Sequence, residues 1–431
     1  MMDKPPVLPL FDSPEHLMLG NVQINQHITE LSVNGLDDAG LIYQHACEWL
    51  FEQKHHENNY KSYRSELTSF LHWCFDVAKL SLADIDRKKM AAYVDYCQHP
   101  PQELIAFCNQ AQFKLDKVSQ LRLANPKWRP FLGKKRDGIE QVYQLSDNAL
   151  KTKLAILSSF YSYLIGEEYC ERNPAQIWLN YSKFSRRSKF KLNSEEENLL
   201  SFTELQWSYV IATAQKLAAE QPSIHQRSLF LIRLLYSCYL RISEVSARVG
   251  YSPVMGQFKL NQQTGIWSFY VPISKGGKSR SIPLSKAMLQ GLIDYRRFLG
   301  LADLPMPNDT SPLFIRHRAA GHGREVGELN ANLGIRQLRD DVEFVIQTAA
   351  QMALKDGFSQ DSIQMAKLTA HNIRHTGITH DINLNGRPLS HVQADAGHES
   401  IDTTSQYLHT SQVERHQTAF SKPMDRLGDI D

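Results

Sequence analysis

The residue range 369–409 contains a cluster of side chains that could bind a phosphate and attack it. Two histidines and an arginine stand at helical spacing, a third histidine follows a glycine, and a tyrosine comes nine positions after it. Residues three and four apart share one face of a helix, so the first three would point the same way. A cationic set beside a phenol suits nucleophilic attack on a phosphodiester. These residues are His371, Arg374, His375, His398 and Tyr407.

Attack by an oxygen on a phosphodiester places extra negative charge on the non-bridging oxygens. Arg241 and Arg374 could cover both oxygens with planar, permanently charged forks, and loss of one such donor typically costs about 3–4 kcal/mol of barrier. His371 and His398 could donate to the same oxygens or accept the nucleophile's proton. Ionising a free phenol at pH 7 costs roughly 4 kcal/mol, which cationic neighbours and a base would reduce. The leaving 5′-oxygen of a sugar needs a proton, which Lys275 on a flexible hairpin could supply.

The spacing of His371 and His375 also suits a zinc site of the H-x-x-x-H type. Two features disfavour zinc: Asn372 stands where a metalloprotease has its glutamate base, and Arg374 would place a permanent charge beside the metal. Each histidine alone could be a packed core residue, but packing does not explain the whole set. We therefore expect neither metal nor cofactor. His375 is left out of the catalytic set, because it could serve only to support the helix or orient its neighbours.

Arg241 and Lys275 each have a plainer interpretation. Arg241 could be a surface arginine paired with Glu244, three residues further on. Lys275 and Lys278 flank a Gly-Gly pair that predicts a β-hairpin turn, where lysines could serve solubility alone. The phosphate site is favoured because these two residues supply what the 369–409 stretch lacks: a second arginine to bind the phosphate and an acid to protonate the leaving oxygen.

The chain has 431 residues, which favours two or three domains, and its composition is that of a globular protein. Its first 20 residues lack the pattern of a signal peptide. No uncharged apolar stretch approaches the roughly 18 residues that span a bilayer, so we expect no membrane partner and a cytoplasmic location. The six cysteines lack C-x-x-C spacing and predict buried free thiols rather than a disulfide or zinc framework.

Two basic stretches interrupt a chain whose net charge is only +2. Residues 121–136 and 172–194 contain no acid, and the second stretch interleaves basic with aromatic side chains. Such runs suit a phosphate backbone, although a solvated, flexible linker explains them equally well. The DNA-binding candidates are Lys127, Arg129, Lys134, Lys135, Arg136, Lys183, Arg186, Arg187 and Lys189.

The hydrophobic pattern predicts a fold that is mainly α with a small antiparallel β-sheet. The first half has the period of four or five helices with one long basic loop, and we expect a helix over 102–123. The period then changes to two, which predicts strands over 257–260, 266–273 and 279–284. A long amphipathic helix is expected over 329–354.

In these residues and their order, the chain resembles the tyrosine recombinases of the phage-integrase type. The match to the family's β-hairpin lysine falls on Lys275, and the matching segments follow the family's order between residues 203 and 410. The segments are 240–245 (first arginine box), 274–284 (hairpin lysine segment), 371–376 (H-x-x-R box) and 397–407 (final histidine and tyrosine).

The resemblance implies an α-helical core-binding domain and a mixed α/β catalytic domain that clamp duplex DNA in a C shape. It also implies a 3′-phosphotyrosyl intermediate formed without metal, and strand exchange by a homotetramer on two specific recombination sites. The implied catalytic residues are Arg241, Lys275, His371, Arg374, His398 and Tyr407. The expected organisation is an N-terminal arm at 1–38, the core-binding domain at 39–180, a basic linker at 181–200, the catalytic domain at 201–410 and a C-terminal tail at 411–431 that could be exchanged between protomers.

The chain departs from the family pattern at packing positions. Tyr239 stands where a glycine is common, and Ala396 replaces the usual leucine. The long interval between Lys275 and His371 and the added basic loop favour an element-specific integrase or transposase-like recombinase over a minimal chromosome-dimer resolvase. An accessory or directionality protein would suit such an element, and a bacterial recombinase would associate with the nucleoid when bound to DNA.

Two other functions fit part of the pattern. A type IB topoisomerase-like enzyme shares the phosphotyrosine chemistry but works alone, and a C-terminal tail lent to a neighbour would distinguish a recombinase from it. A non-catalytic DNA-binding relative would lack one of the six catalytic residues, and none is missing here.

Overall fold

The computed structural model describes residues 7–136, 138–181, 201–272, 278–316, 318–321 and 325–408, with only the main chain of Arg136. The chain divides into two compact units, residues 1–194 and 195–431. Each unit has its own hydrophobic core. The expected class, mostly helices with small antiparallel sheets, is confirmed.

The first unit is built mainly of helices around an aromatic core. Its central helices bury Trp49, Phe70 and Phe160, and the rings of Trp49 and Phe160 lie 5.1 Å apart. Asp86 and Ser146 accept hydrogen bonds from main-chain N–H groups of the helices that follow them, as their sequence positions predict. The helices are α1 (Pro14–Leu17), α2 (Val22–Val33), α3 (Ala39–Glu52), α4 (Glu57–His72, continued by a π-helical turn at Trp73–Ala78), α5 (Arg87–Gln98), α6 (Asp147–Gly166) and α7 (Pro174–Tyr181).

The prediction of a helix over 102–123 is wrong. A short 3₁₀ turn at Gln102–Leu104 is followed by strands, and Phe113 pairs with Ala124 across an antiparallel ladder. Burial of these two side chains favours the cross-strand pairing, which the local helical period does not reveal. The strands are β1 (Ile105–Ala106), β2 (Phe113–Leu115), β3 (Arg122–Ala124), β4 (Phe131–Leu132), β5 (Lys135–Arg136) and β6 (Ile139–Glu140). The first unit is therefore not all-α.

The stretch that the sequence pattern suggested as an N-terminal arm packs into the first unit over its described part. Phe11 and Ile24 are buried in the core of that unit. The guanidinium of Arg122 donates to the carboxylate of Asp12, with 2.7 Å between Nη2 and Oδ1. Apolar residues at helical intervals in α2 account for this packing.

The second unit surrounds a three-stranded antiparallel sheet with helices. Phe258 pairs with Phe269, and Phe269 with Ile282, so one face of the sheet buries all three side chains. Its helices are α8 (Glu204–Glu220), α9 (Pro222–Ser237), α10 (Lys286–Phe298), α11 (Ile335–Lys355), α12 (Ser359–Met365), α13 (Ala370–Asn383), α14 (Leu389–Ala396) and α15 (Ile401–Ser405). Its strands are β7 (Phe258–Asn261), β8 (Ile266–Val271) and β9 (Arg280–Pro283).

The long helix expected over 329–354 begins later, at Ile335. Asn332 explains the difference, because its side chain accepts from the main-chain N–H of Phe314 at 3.1 Å and donates to the oxygen of Pro253 at 2.6 Å. These bonds hold the segment before the helix in a non-helical conformation, with isolated β-bridges at Asn332 and Gly334. Within the described ranges, none of the helices combines the length and apolar character that crossing a membrane requires.

Candidate active site

Helix α13 carries three of the candidate residues and lies unusually close to α9. Asn372 caps its first turn by accepting hydrogen bonds from the main-chain N–H and the hydroxyl of Thr369, at 2.8 and 2.9 Å. Further along, a Cβ on Gly377 would lie only 2.2 Å from the main-chain oxygen of Tyr236 at the end of α9. The two helices therefore touch through their backbones, and only glycine permits that approach.

Arg374 lies at the bottom of the site, with 1% of its surface exposed. Its guanidinium donates to the main-chain oxygen of Tyr239, to that of Ala396 at 2.7 Å, and to Nε2 of His398 at 3.0 Å. These contacts use three of its five N–H groups and fix the direction of the others. Burial, and then the charge of Arg241, lower its pKa to about 10, so it remains charged at neutral pH.

The turn after α14 positions His398. Gly397 has a φ of +65°, a left-handed conformation that caps the helix. Because Arg374 can only donate, Nε2 of His398 accepts, and its Nδ1–H donates to the hydroxyl of Thr404 at 2.9 Å. Burial, followed by the charges of Arg374 and Arg241, lowers the pKa of His398 to about 4. His398 is therefore a neutral imidazole with both nitrogens engaged.

Glu244 holds the other arginine of the site. Its carboxylate is 2% exposed, accepts from Nη1 of Arg241 at 3.1 Å, and accepts both Nη groups of Arg280 at 2.8 and 2.9 Å. The pair of Arg241 with Glu244 is thus a buried anchor rather than a surface pair, while the Arg241 side chain keeps 26% exposure. Burial alone would raise the pKa of Glu244, but the hydrogen bonds and charges of Arg280 and Arg241 outweigh it and lower the pKa.

Tyr239 links the first arginine box to the segment before His398. Its φ is +47°, the left-handed region, which explains why a glycine is common at this position. Its hydroxyl donates to Asp381 and accepts from Nη1 of Arg387 at 2.6 Å, and Arg387 also binds Asp395 at 2.7 Å. This partly buried network compensates the backbone strain that a tyrosine meets there.

Tyr407 is buried, with 3% exposure, and its hydroxyl contacts Nδ1 of His375. Its ring stacks against those of His375 and His398, with centroids 5.4 and 6.0 Å apart. Burial raises the pKa of the Tyr407 phenol to about 12, although the charges of Arg374 and Arg241 act in the opposite direction. The phenol is therefore protonated in the protein without substrate.

His371 completes the group. Its ring meets that of His375 edge-on, with centroids 4.3 Å apart, and its side chain is exposed. A phosphate entering from solvent would thus meet His371 and the open side of Arg241 before the buried groups. The arrangement offers cationic donors around one neutral, protonated phenol.

Residues 202–414 match the phage integrase family. The chain is a tyrosine recombinase of this family. It is 26% identical over 288 residues to the tyrosine recombinase XerC of Bacillus subtilis, with 64% of this chain and 78% of that protein covered. It is 24% identical over 268 residues to XerC of Pelobacter propionicus, with 62% and 70% covered.

Among solved structures, the recombinase is similar to the Tn1549 transposon integrase in complex with circular intermediate DNA. The TM-score is 0.51 at 14% sequence identity, and the match covers 87% of this chain and 97% of that chain. At this identity the likeness concerns the fold.

The recombinase fold brings together five of the six predicted catalytic residues. Lys275, the predicted acid, lies outside the described residues. His375, which the sequence analysis leaves out of the catalytic set, contacts the hydroxyl of Tyr407; its signals in the sequence are its position beside Arg374 and its spacing of four from His371. Within the described parts of the chain, no three side chains of His, Cys, Asp or Glu are arranged to hold a metal ion.

The predicted DNA-binding residues of this recombinase differ in their availability. Lys127 and Lys134 are exposed, and Lys135 is exposed but pairs with Glu140 at 3.1 Å. Arg129 donates to three main-chain oxygens, those of Glu103, Pro126 and Trp128, each at 2.7 Å, and so holds its own loop. The side chains outside the described residues are those of Arg136, Lys183, Arg186, Arg187 and Lys189.

Proposed function

We propose that this chain is a site-specific recombinase that cuts and rejoins double-stranded DNA through a phosphodiester bond to Tyr407. The observation that carries the proposal is the buried guanidinium of Arg374, fixed against His398 and the backbone while Tyr407 stacks on the same histidine. A preorganised, partly buried cationic site of this kind stabilises the negative charge that develops on a phosphate during nucleophilic attack.

In the proposed reaction, Arg241 and Arg374 bind the two non-bridging oxygens of the scissile phosphate. The phenolic oxygen of Tyr407 attacks phosphorus, the bond to the 5′-oxygen breaks, and the 3′-phosphate stays on the tyrosine. We assign protonation of the 5′-oxygen to Lys275, on the basis of its place in the β8–β9 connection. Rejoining reverses these steps with a 5′-hydroxyl from the same or another strand.

The proposed partners are inferred from the family and from its relatives. The Tn1549 integrase was solved with circular intermediate DNA, and we propose that this chain likewise acts on duplex DNA of a mobile element. We further propose a core-binding domain at 39–180, a catalytic domain at 201–410, and a homotetramer on two recombination sites in which the 411–431 tail passes to a neighbour. An accessory protein that sets direction, and association with the nucleoid, belong to the same proposal.

Trapping the covalent complex tests this function. The wild-type protein is incubated, with EDTA present, with nicked duplexes carrying candidate element ends, and the products are denatured and sequenced. We expect a denaturant-resistant adduct with a 3′-attached strand, and none from the Tyr407→Phe variant, which should bind the same DNA normally. An adduct that survives this substitution would place the nucleophile elsewhere and refute the assignment.

A further inference from the structure

The Tyr407 hydroxyl has one imidazole as its hydrogen-bonding partner among the described residues, and it belongs to His375 rather than to a histidine of the expected catalytic set. The phenol carries a proton and the imidazole is neutral, because burial holds the pKa of Tyr407 at about 12 and that of His375 at about 4. The phenolic O–H is therefore the donor and Nδ1 the acceptor, which places the ring hydrogen of His375 on Nε2.

His398 is the obvious competitor for the proton, since its ring also stacks on Tyr407. Both of its nitrogens are engaged, however: Nε2 accepts from Arg374 at 3.0 Å, and Nδ1 donates to Thr404 at 2.9 Å. Accepting a proton at Nε2 would break the bond that orients the phosphate-binding guanidinium. The geometry leaves His398 as a positioning group for Arg374.

The position of Tyr407 is also fixed from its other side. Its main-chain oxygen accepts from the side-chain amide of Asn383 at 2.9 Å, and its main-chain N–H donates to Thr404 at 3.1 Å. Asn383 and His375 both belong to α13, so one helix holds the tyrosine by its backbone and by its hydroxyl. These contacts hold the main chain of Tyr407 beside the helix that carries His375.

We propose that His375 is the general base of strand cleavage, taking the phenolic proton of Tyr407 on Nδ1 as the phenolic oxygen attacks phosphorus. This inference rests on the proposed function. In the step, the bond from Tyr407 Oη to phosphorus forms, the bond to the 5′-oxygen breaks, and the proton passes from Oη to Nδ1. A separate acid protonates the 5′-oxygen. In rejoining, His375 returns its proton to the departing phenolate.

The groups around His375 indicate how bound substrate would make it a stronger base. In the free protein, burial and, to a smaller extent, the charges of its neighbours lower the pKa of His375 to about 4. A bound phosphate diester brings a negative charge among those neighbours and raises the proton affinity of the imidazole when the proton must move. The charged and titratable groups that face His375 are His371 and Arg374 on its own helix, and His398 and Tyr407 from the segments packed against it.

The pH dependence of cleavage tests this role. The substrate carries a 5′-thiolate leaving group, which needs no acid, and single-turnover rates are measured from pH 6 to 9. For the wild type we expect a nearly flat profile, because the base is already neutral over this range. His375→Asn keeps an acceptor near the Nδ1 position but cannot carry the proton. We expect it to be slower at pH 7 by about 10²–10⁴-fold, with a rate that rises roughly tenfold per pH unit as the phenol ionises.

Two outcomes overturn the proposal: a loss of rate that is the same at every pH, so that the two profiles are parallel, or an unchanged rate. His391→Asn, which removes an exposed histidine on α14, is the matched control and should follow the wild type. If the wild type forms no adduct at all, the proposed function fails instead, and the two failures are thereby distinguished.

A second measurement on the wild type does not depend on any variant. Nitrogen-15 shifts of labelled histidines report which ring nitrogen of His375 carries hydrogen in the folded protein. We expect hydrogen on Nε2 and a bare Nδ1. Hydrogen on Nδ1 would make His375 the donor to the phenol, and it could then not accept the proton.

Discussion

The guanidinium of Arg374 donates a hydrogen bond to the main-chain oxygen of Tyr239, two residues before Arg241. The two arginines proposed to bind the phosphate are therefore joined through the backbone of one short segment, although 133 positions separate them in the sequence. A displacement of that segment would move both guanidinium groups at once. Substitutions that leave the arginines intact should consequently affect cleavage.

Glu244→Gln tests the anchor of Arg241. The amide cannot neutralise Arg241 and Arg280, so we expect a loss of about 3 kcal/mol in the free energy of unfolding. Misplacement of Arg241 by a fraction of an ångström should slow cleavage by about 10–100-fold. Urea denaturation and single-turnover cleavage measure the two effects.

Asp341→Asn is the matched control for Glu244→Gln. Asp341 forms a buried ion pair with Arg227 at 2.7 Å, elsewhere in the second unit. We expect a comparable loss of stability with unchanged cleavage at temperatures well below unfolding. Equal slowing by both variants would mean that Glu244 contributes only to general stability.

Tyr239→Phe tests the network behind the site. The ring still fills its place, but Asp381 loses the phenolic donor, so we expect a loss of about 1–2 kcal/mol in the free energy of unfolding. Tyr239→Gly removes the strain of the left-handed φ but also the buried ring, and should cost about 3 kcal/mol. Thermal melts that rank the glycine variant above the phenylalanine variant would show that backbone strain, not the network, dominates at this position.

Lys275→Ala tests the acid assigned to the β8–β9 connection. Cleavage of ordinary DNA should slow by about 10²–10⁴-fold, whereas a substrate with a 5′-thiolate leaving group should be cleaved at nearly the wild-type rate. Lys278→Ala, three positions away and paired with Glu399 at 3.6 Å, is the comparison variant. Equal slowing of both substrates by Lys275→Ala would argue against its role as the acid.

Stability should fall in mild acid because of His375 and His398. Both have a folded-state pKa of about 4, below the ordinary value of 6.5, so the unfolded chain binds more protons between these values. Stability is therefore fully present above pH 6.5 and is lost as pH falls toward 4, by about 3 kcal/mol in total after allowing for partial exposure of both rings. Urea midpoints at successive pH values measure the loss. His375→Asn should show a shallower decline, and a decline as steep as that of the wild type would contradict the assignment.

Local signals in the sequence were sufficient to predict much of the secondary structure of the second unit. Thr203 and Ser285 cap helices where their residue types predict it, and the change to a period of two located all three strands. The arginine and histidine boxes could be recognised because their chemistry depends on residue type and short spacing.

Features that depend on distant partners were not predictable in the same way. Phe113 pairs with Ala124 because both side chains find a common core, and neither position reveals that in its own neighbourhood. The contact of His375 with Tyr407 was not predictable, because the two residues are 32 positions apart and meet only in the folded chain. Glu244 similarly shows one partner in the sequence, Arg241, and a second, Arg280, only in the fold.

The contact between Gly377 and Tyr236 has a consequence for how the protein can change over evolutionary time. The spacing between α9 and α13 is set by backbone atoms, which every substitution of a core side chain leaves in place. Core residues around these helices can therefore diverge widely while the catalytic groups on α13 keep their distance from the first arginine box. Position 377 itself has no such freedom, since any side chain there would force the two helices apart.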